Sequence, residues 1–411
     1  MRKEQSCPRP LILLLVLLGA SRPAAGQIDP DRRQLLQLGF NQSIDGRGPL
    51  AAYAYYYLNE PHFLAVPRQT LRVVVAPGYL DSELGLAKAL GPETSLGIGL
   101  AGGAFADSQT EIRQDRYLRG ESYGGDGARA SLSLYHDFRA LGPVPLAGIL
   151  RVGGHYASFY KETTTAPGFA LPEDQTEVFA RAGFRLGGRE PLLMPSLAME
   201  ISAWYEGRER LAPGTYGFDG DRRIERDSQL FWGRALLIFN EPSSAERFVA
   251  FLTGGTSMRA DRFSAYKLGG DLPMAAEFPL FLPGYYYEEI SAKSFGLLGG
   301  SYIVPLSGDR KTWTASLTAS TALVDYAPGF EQRGKSHTGL GAGAAYLSHS
   351  RAWQLMAAYG YGINAARGHG NGGHTAGLLL QFDFQRVAVP FFHPSDPNGG
   401  LHHMLQRTGA L

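Results

Sequence analysis

The chain has 411 residues, 39 basic against 38 acidic side chains, a formal net charge of +1 and one cysteine. A balance this close to neutral, mixed along the chain, argues against a nucleic-acid partner, and one thiol excludes a disulfide framework. Plentiful glycine (53 residues) and aromatic side chains (11%) beside a modest charged fraction (19%) suit many strands bounded by turns.

Residues 1–26 read as a secretory signal peptide. Arg2 and Lys3 form its positive start, Leu11 to Ala20 its apolar run and Ala24-Ala25-Gly26 its cleavage site, so the mature chain is expected to begin near Gln27. Cys7 precedes the apolar run, where a lipid-anchoring cysteine would follow it, and the mature chain is left without a thiol. Residues 27–49 are expected to form a short periplasmic N-terminal segment, 50–385 a β-barrel and 386–411 a C-terminal tail. No later segment reaches the roughly 20 apolar residues of a transmembrane helix.

Candidate strands fall at 50–58, 70–76, 82–89, 95–106, 128–138, 147–160, 176–188, 195–206, 229–240, 247–258, 262–270, 293–305, 312–324, 336–348, 352–363 and 374–385. Period-two alternation carries them. Val178, Ala180, Ala182, Phe184 and Leu186 oppose Glu177, Arg181 and Arg185, and Ile201, Ala203 and Tyr205 oppose Glu200, Ser202 and Glu206. Leu378, Leu380 and Phe382 oppose Gln381 and Asp383.

Alternation alone also fits a soluble sandwich. Three features favour an all-β transmembrane antiparallel barrel of about 16 strands. The segments match a tilted membrane strand better than the five or six residues common in soluble sheets. Aromatics near segment ends, among them Tyr156, Trp204, Tyr205, Trp232 and Tyr359, fit an interfacial girdle. Tight turns such as Asn240 to Ser243 alternate with long polar stretches such as Asp107 to Gly127 and Gly207 to Arg226. The place expected for such a barrel is the cell outer membrane.

Glu177, Arg181, Arg185, Glu200, Glu206 and Asp383 are the candidate lumen-facing charges, either a hydrated lining or a cross-strand ladder packing the interior. Gly97-Ile98-Gly99 and Gly339 to Gly343 lie inside strand patterns and read as places of close strand approach rather than a phosphate loop. His369, His374, His393, His402 and His403 are spread over a loop and the tail, and Ser348-His349-Ser350 and His136-Asp137 lack an identifiable partner. No catalytic centre, metal site or cofactor is expected, and the expected partners are outer-membrane lipid and a periplasmic or other outer-membrane protein.

Two C-terminal segments carry a family resemblance. Tyr359 to Arg367 followed by Gly372 to Phe384 looks like the closing hairpin of the outer-membrane assembly-factor superfamily, the BamA/TamA and bacterial surface antigen group. Phe263 to Gly270, then Leu282-Pro283-Gly284-Tyr285, then Phe295 to Leu306 resembles the stretch holding that family's inward-folded sixth loop. The apolar, aromatic segment Asp271 to Glu289 is therefore the inward-folded loop candidate. Pro283 stands where the family usually has an arginine, so no salt bridge carries over from that position. The family's periplasmic POTRA domains have no counterpart in the segment before the first candidate strand.

The resemblance implies insertion, translocation or display of proteins or lipids through a weak seam between the first and last strands, here 51–58 against 375–384. The alternative is a passive porin-like channel or polymer-export pore, which steady conductance in planar bilayers would mark. A third reading is a structural or receptor barrel whose long loops bind an outside partner.

Overall fold

The computed structural model describes Ile28 and residues 32–114, 116–138, 144–187, 197–241, 243–271, 280–308, 312–368 and 370–385. The strands are β1 (Arg33–Ser43), β2 (Ala51–Pro61), β3 (Gln69–Ala76), β4 (Tyr79–Leu86), β5 (Thr94–Gly103) and β6 (Gly124–Phe138). They continue as β7 (Leu146–Tyr160), β8 (Gln175–Gly187), β9 (Leu197–Arg210), β10 (Asp227–Asn240) and β11 (Arg247–Met258). The last five are β12 (Ile290–Pro305), β13 (Trp313–Tyr326), β14 (Ser336–Leu347), β15 (Trp353–Arg367) and β16 (Gly370–Asp383). Each pairs antiparallel with its neighbours in sequence, and β1 pairs with both β2 and β16, closing a barrel of sixteen strands.

The closure corrects the expected N-terminal boundary. Residues 33–43, placed by the sequence in a periplasmic segment, are the first strand, and β16 lies against β1 rather than against 51–58. The register runs unbroken from Leu35 opposite Asp383 to Ser43 opposite Thr375. The eleventh candidate, 262–270, is not a wall strand. Only Tyr266–Leu268 is extended there, paired inside the barrel with the start of β12. One strand gained and one lost leave the count unchanged.

An even number of strands puts both ends of the wall chain at one end of the barrel, which we call the terminal end. The opposite end, the loop end, carries the longer β5–β6, β7–β8, β9–β10 and β11–β12 connections. The β3–β4 hairpin there is short in its strands as well as its turn, two eight-residue strands joined across Pro77-Gly78.

The barrel is inside out relative to a soluble protein. Leu100, Leu132, Leu298 and Leu317 stand 60–66% exposed on the outer face, whereas Glu200, Glu206, Arg151 and Arg181 are buried within. An exposed apolar wall around a charged interior is the distribution that a lipid surround satisfies. Leu132, mid-strand between Ile98 and Val152, tests this. Leu132→Arg is expected to cost about 2 to 4 kcal/mol in urea unfolding from lipid vesicles. An unchanged midpoint would remove lipid from that face.

The predicted lumen charges do face inward, and five of the six pair with opposite charges there. Arg181 pairs with Glu206, which also takes Arg208 at 2.5 Å, and Arg210 joins Glu177 (3.2 Å) to Asp261 (2.5 Å). Glu200 lies between Arg234 at 2.7 Å and Arg185 at 3.7 Å. Asp383 sits at the terminal end, where its Oδ1 accepts from the Gln385 amide at 2.8 Å. The ladder reading is therefore the one that fits. Trp204 and Trp232, read as girdle residues, also point inward and stack at 6.3 Å.

Candidate functional site

The β11–β12 connection is the sixth at the loop end, and it folds into the lumen. Residues 272–279, including Phe278, lie outside the described residues. On either side of them the loop is anchored. Leu282 and Tyr285 are fully buried, and the chain at Leu282-Pro283-Gly284-Tyr285 lies on the inner faces of β14, β15 and β16.

Glycine makes this approach possible. A Cβ built on Gly339 would come within 2.2 Å of the Pro283 carbonyl oxygen, and one on Gly373 within 2.5 Å of the Gly284 oxygen. Gly341, Gly360 and Gly362 complete the floor on which the loop rests. The reading of Gly339 to Gly343 as a place of close approach holds, although the approaching backbone is the loop rather than a neighbouring strand. Gly284 has a φ of +81°, a left-handed conformation that favours glycine.

Polar contacts then fix the tip. The Gly284 amide donates to Thr375 Oγ1 at 2.9 Å and to Asp271 Oδ1 at 3.0 Å, and its carbonyl accepts from Arg367 Nη2 at 3.0 Å. Arg367 grips Glu289 with both nitrogens, Nη1 to Oε1 at 2.9 Å and Nη2 to Oε2 at 3.1 Å, and both side chains are wholly buried. Its guanidinium lies 3.9 Å from the Tyr286 ring centroid, and Glu289 Oε2 also accepts from the Tyr286 amide at 2.7 Å. So the loop does hold a lumenal ion pair, with the arginine on the wall and the acid on the loop.

Arg367 faces inward because β15 is bulged. Residues at 354, 356, 360 and 362 face the lumen, the register shifts between Gly362 and Ala366, and beyond it 365 and 367 face inward instead.

Asp271 reaches the first strand as well. Its Oδ2 accepts from Asn41 Nδ2 at 3.2 Å, and burial pushes its carboxyl above the usual carboxylate range. His337 sits between the hydroxyls of Tyr326 (2.6 Å) and Tyr285 (3.3 Å), whose phenol is likewise raised by burial.

Above the loop, the long connections form a cap around Tyr123, Phe169, Tyr216 and Ile224. Arg222 ties it together, 4.7 Å from the Phe169 ring centroid and 3.7 Å from Glu111, and Arg262 of the inner loop reaches the same Glu111 at 3.3 Å. Between the cap and the root of the inner loop lies a cavity of about 410 Å³ lined by Arg129, Arg208, Lys267, Phe263 and Tyr266.

The other sequence candidates stay apart. His136 Nδ1 meets Thr94 Oγ1 at 2.9 Å, and Ser348 and Ser350 face each other at 3.3 Å in the β14–β15 turn. His374 lies beside Tyr361, while His369, His393, His402, His403 and the tail 386–411 fall outside the described residues. Among the described residues no three His, Cys, Asp or Glu side chains gather as a metal site. Sequence reasoning placed the loop tip but missed Arg367, Asn41, Thr375 and the paired roles of Asp271 and Glu289. An arginine at the end of a strand, followed by a short turn, was the available signal.

Neither a scan of protein-family models nor a search of curated proteins finds a match. Solved structures do match. CdiB from Acinetobacter baumannii is 10% identical with a TM-score of 0.59, over 86% of this chain and 60% of that one. CdiB from Escherichia coli is 13% identical at a TM-score of 0.58, over 87% and 64%. BamA from Haemophilus ducreyi, in a form lacking POTRA domains 1-3, is 11% identical at 0.53, over 86% and 71%. The chain thus spans less than two thirds of either CdiB. At these identities the likeness shows the fold: this chain forms the sixteen-stranded type of barrel to which CdiB and BamA are similar.

Proposed function

We propose that the protein is an outer-membrane barrel that inserts, translocates or displays protein or lipid by opening its wall between β1 and β16. The observation that carries this reading is the inner loop, held in the lumen on the last three strands and bonded through Asp271 to the first. A loop that only narrowed a pore would have no need to touch both sides of one strand pair. The apolar outer face and the likeness to CdiB and BamA barrels support a place in the outer membrane. The interlocked lumen charges and the cap support a silent barrel over the channel alternative.

The seam continues past the paired register, for the Phe384 amide donates to the Gln34 carbonyl at 3.0 Å and the Ile44 amide to the His374 carbonyl at 2.8 Å. Opening would have to unzip these bonds from one end. Leu38 and Leu380 face each other across the seam. Cysteines at both positions should cross-link under oxidation and change the protein and lipid composition of the outer membrane in cells with no other copy. Reduction should restore it. A fully formed cross-link that leaves composition and growth untouched would sink the proposal.

A further inference from the structure

Asp271 is an expensive residue for its place. Its hydrogen-bond partners are neutral: Asn41 of β1, the Gly284 amide at the loop tip and Thr375 of β16. A buried carboxylate without a cation is costly unless several donors converge on it. Here the donors come from three elements, the first strand, the last strand and the tip of the inner loop. The two strands sit at opposite ends of the chain, and the loop residue is 230 positions from Asn41. The carboxylate also lies tight against β15, for a Cβ built on Gly360 would come within 2.0 Å of Asp271 Oδ1.

The wall has its own bridge lower down, where Gln37 Nε2 donates to Gln381 Oε1 at 3.2 Å. That bridge is independent of the inner loop. The contact at Asp271 is not, because the Gly284 amide that holds one carboxylate oxygen is the same amide that holds Thr375. If the loop tip withdraws, Thr375 and Asp271 each lose the Gly284 amide in a single step.

From this we infer that Asp271 is a clasp, a positioning residue that makes pairing of β1 with β16 depend on docking of the inner loop. The inference rests on the reading of this seam as the place of opening. The loop then acts as a latch: docked, it braces the lumenal side of the seam, and withdrawn, it leaves the seam to its backbone ladder, the Gln37–Gln381 bridge and the bond from the His374 amide to Asp45 Oδ1.

The test is amide hydrogen exchange on the full barrel in lipid nanodiscs, comparing seam amides (35–43 and 375–383) with the β10–β11 ladder. Asp271→Ala removes the acceptor, and Asn41→Asp sets two carboxylates face to face. Both should speed seam exchange about tenfold, as expected for loss of a charge-assisted hydrogen bond, with β10–β11 unchanged. The double variant Asn41→Asp with Asp271→Asn exchanges acceptor for donor and should return seam exchange to within about twofold of the parent protein. A purely structural role would not be rescued by this swap. Should Asp271→Ala fail to fold, Asn41→Leu carries the same comparison.

Seam exchange that stays at the parent rate, or rises equally in β10–β11, overturns the clasp. If the seam loosens while cells tolerate the oxidised Leu38–Leu380 link, the clasp stands and lateral opening falls. If the link blocks function but the seam does not loosen, the reverse holds.

Discussion

Arg367→Met is expected to destabilise the docked barrel by about 3 to 5 kcal/mol, the cost of stranding one member of a buried ion pair. Glu289 is fully buried and would keep its charge with no guanidinium beside it, and the Gly284 carbonyl would lose its donor. The double variant Arg367→Met with Glu289→Leu should recover most of the loss, since exchanging a whole buried pair for packed apolar groups is close to neutral. Urea titration of all three proteins in lipid vesicles reads the difference. A single variant within about 1 kcal/mol of the parent would show that the pair is not what holds the loop.

Gly284→Val should expel the tip of the inner loop. A Cβ at this position would lie 1.7 Å from the Gly362 nitrogen and 2.3 Å from the Tyr361 carbonyl carbon, backbone atoms that the β15–β16 ladder holds in place. To this overlap is added the left-handed backbone, which a β-branched residue avoids at about 1 to 2 kcal/mol. Together the two should exceed the several kcal/mol that docking supplies. Tyr285, Tyr286 and Tyr287 would then become substrates for chymotrypsin in an otherwise folded barrel. Gly296→Val is the control, because nothing lies within 4 Å of a Cβ there. Equal protease resistance in both variants would mean that the tip does not need the floor it rests on.

Much of the wall was readable in the sequence, because a barrel repeats one rule along every strand. Glu177, Arg181 and Arg185 were placed on the lumen side by their spacing once the strands were read as a membrane barrel, and all three are buried within it. The first strand escaped because Leu35 and Leu36 are adjacent apolar residues, which blur the alternation of Gln37, Gly39 and Asn41 against Leu38 and Phe40. Tyr266–Leu268 was counted as wall because a short extended run beside an aromatic loop carries no mark of which side of the barrel it lies on.

The site divides along the same line. Leu282 to Tyr285 stood out through its resemblance to the family's sixth loop and the apolar, aromatic segment Asp271 to Glu289 around it, and the glycines of β14 marked a close approach. Arg367 could not be read, because strict alternation from Gly360 would carry it to the outer face, and only the bulge turns it inward. Asn41, Asp271 and Thr375 are ordinary polar residues until closure of the barrel sets them side by side.

The short β3–β4 hairpin has a consequence for the lipid around it. Eight tilted residues rise only ~20 Å along the barrel axis, less than the ~25 Å apolar band of such proteins. On this side the shortfall is met from below: Leu64 and Val66 in the β2–β3 turn and Leu90 in the β4–β5 turn are exposed apolar residues at the terminal end. The bilayer there must be filled partly by turns, so this flank rides lower than the rest. Acyl chains of the loop-side leaflet then close over Pro77-Gly78.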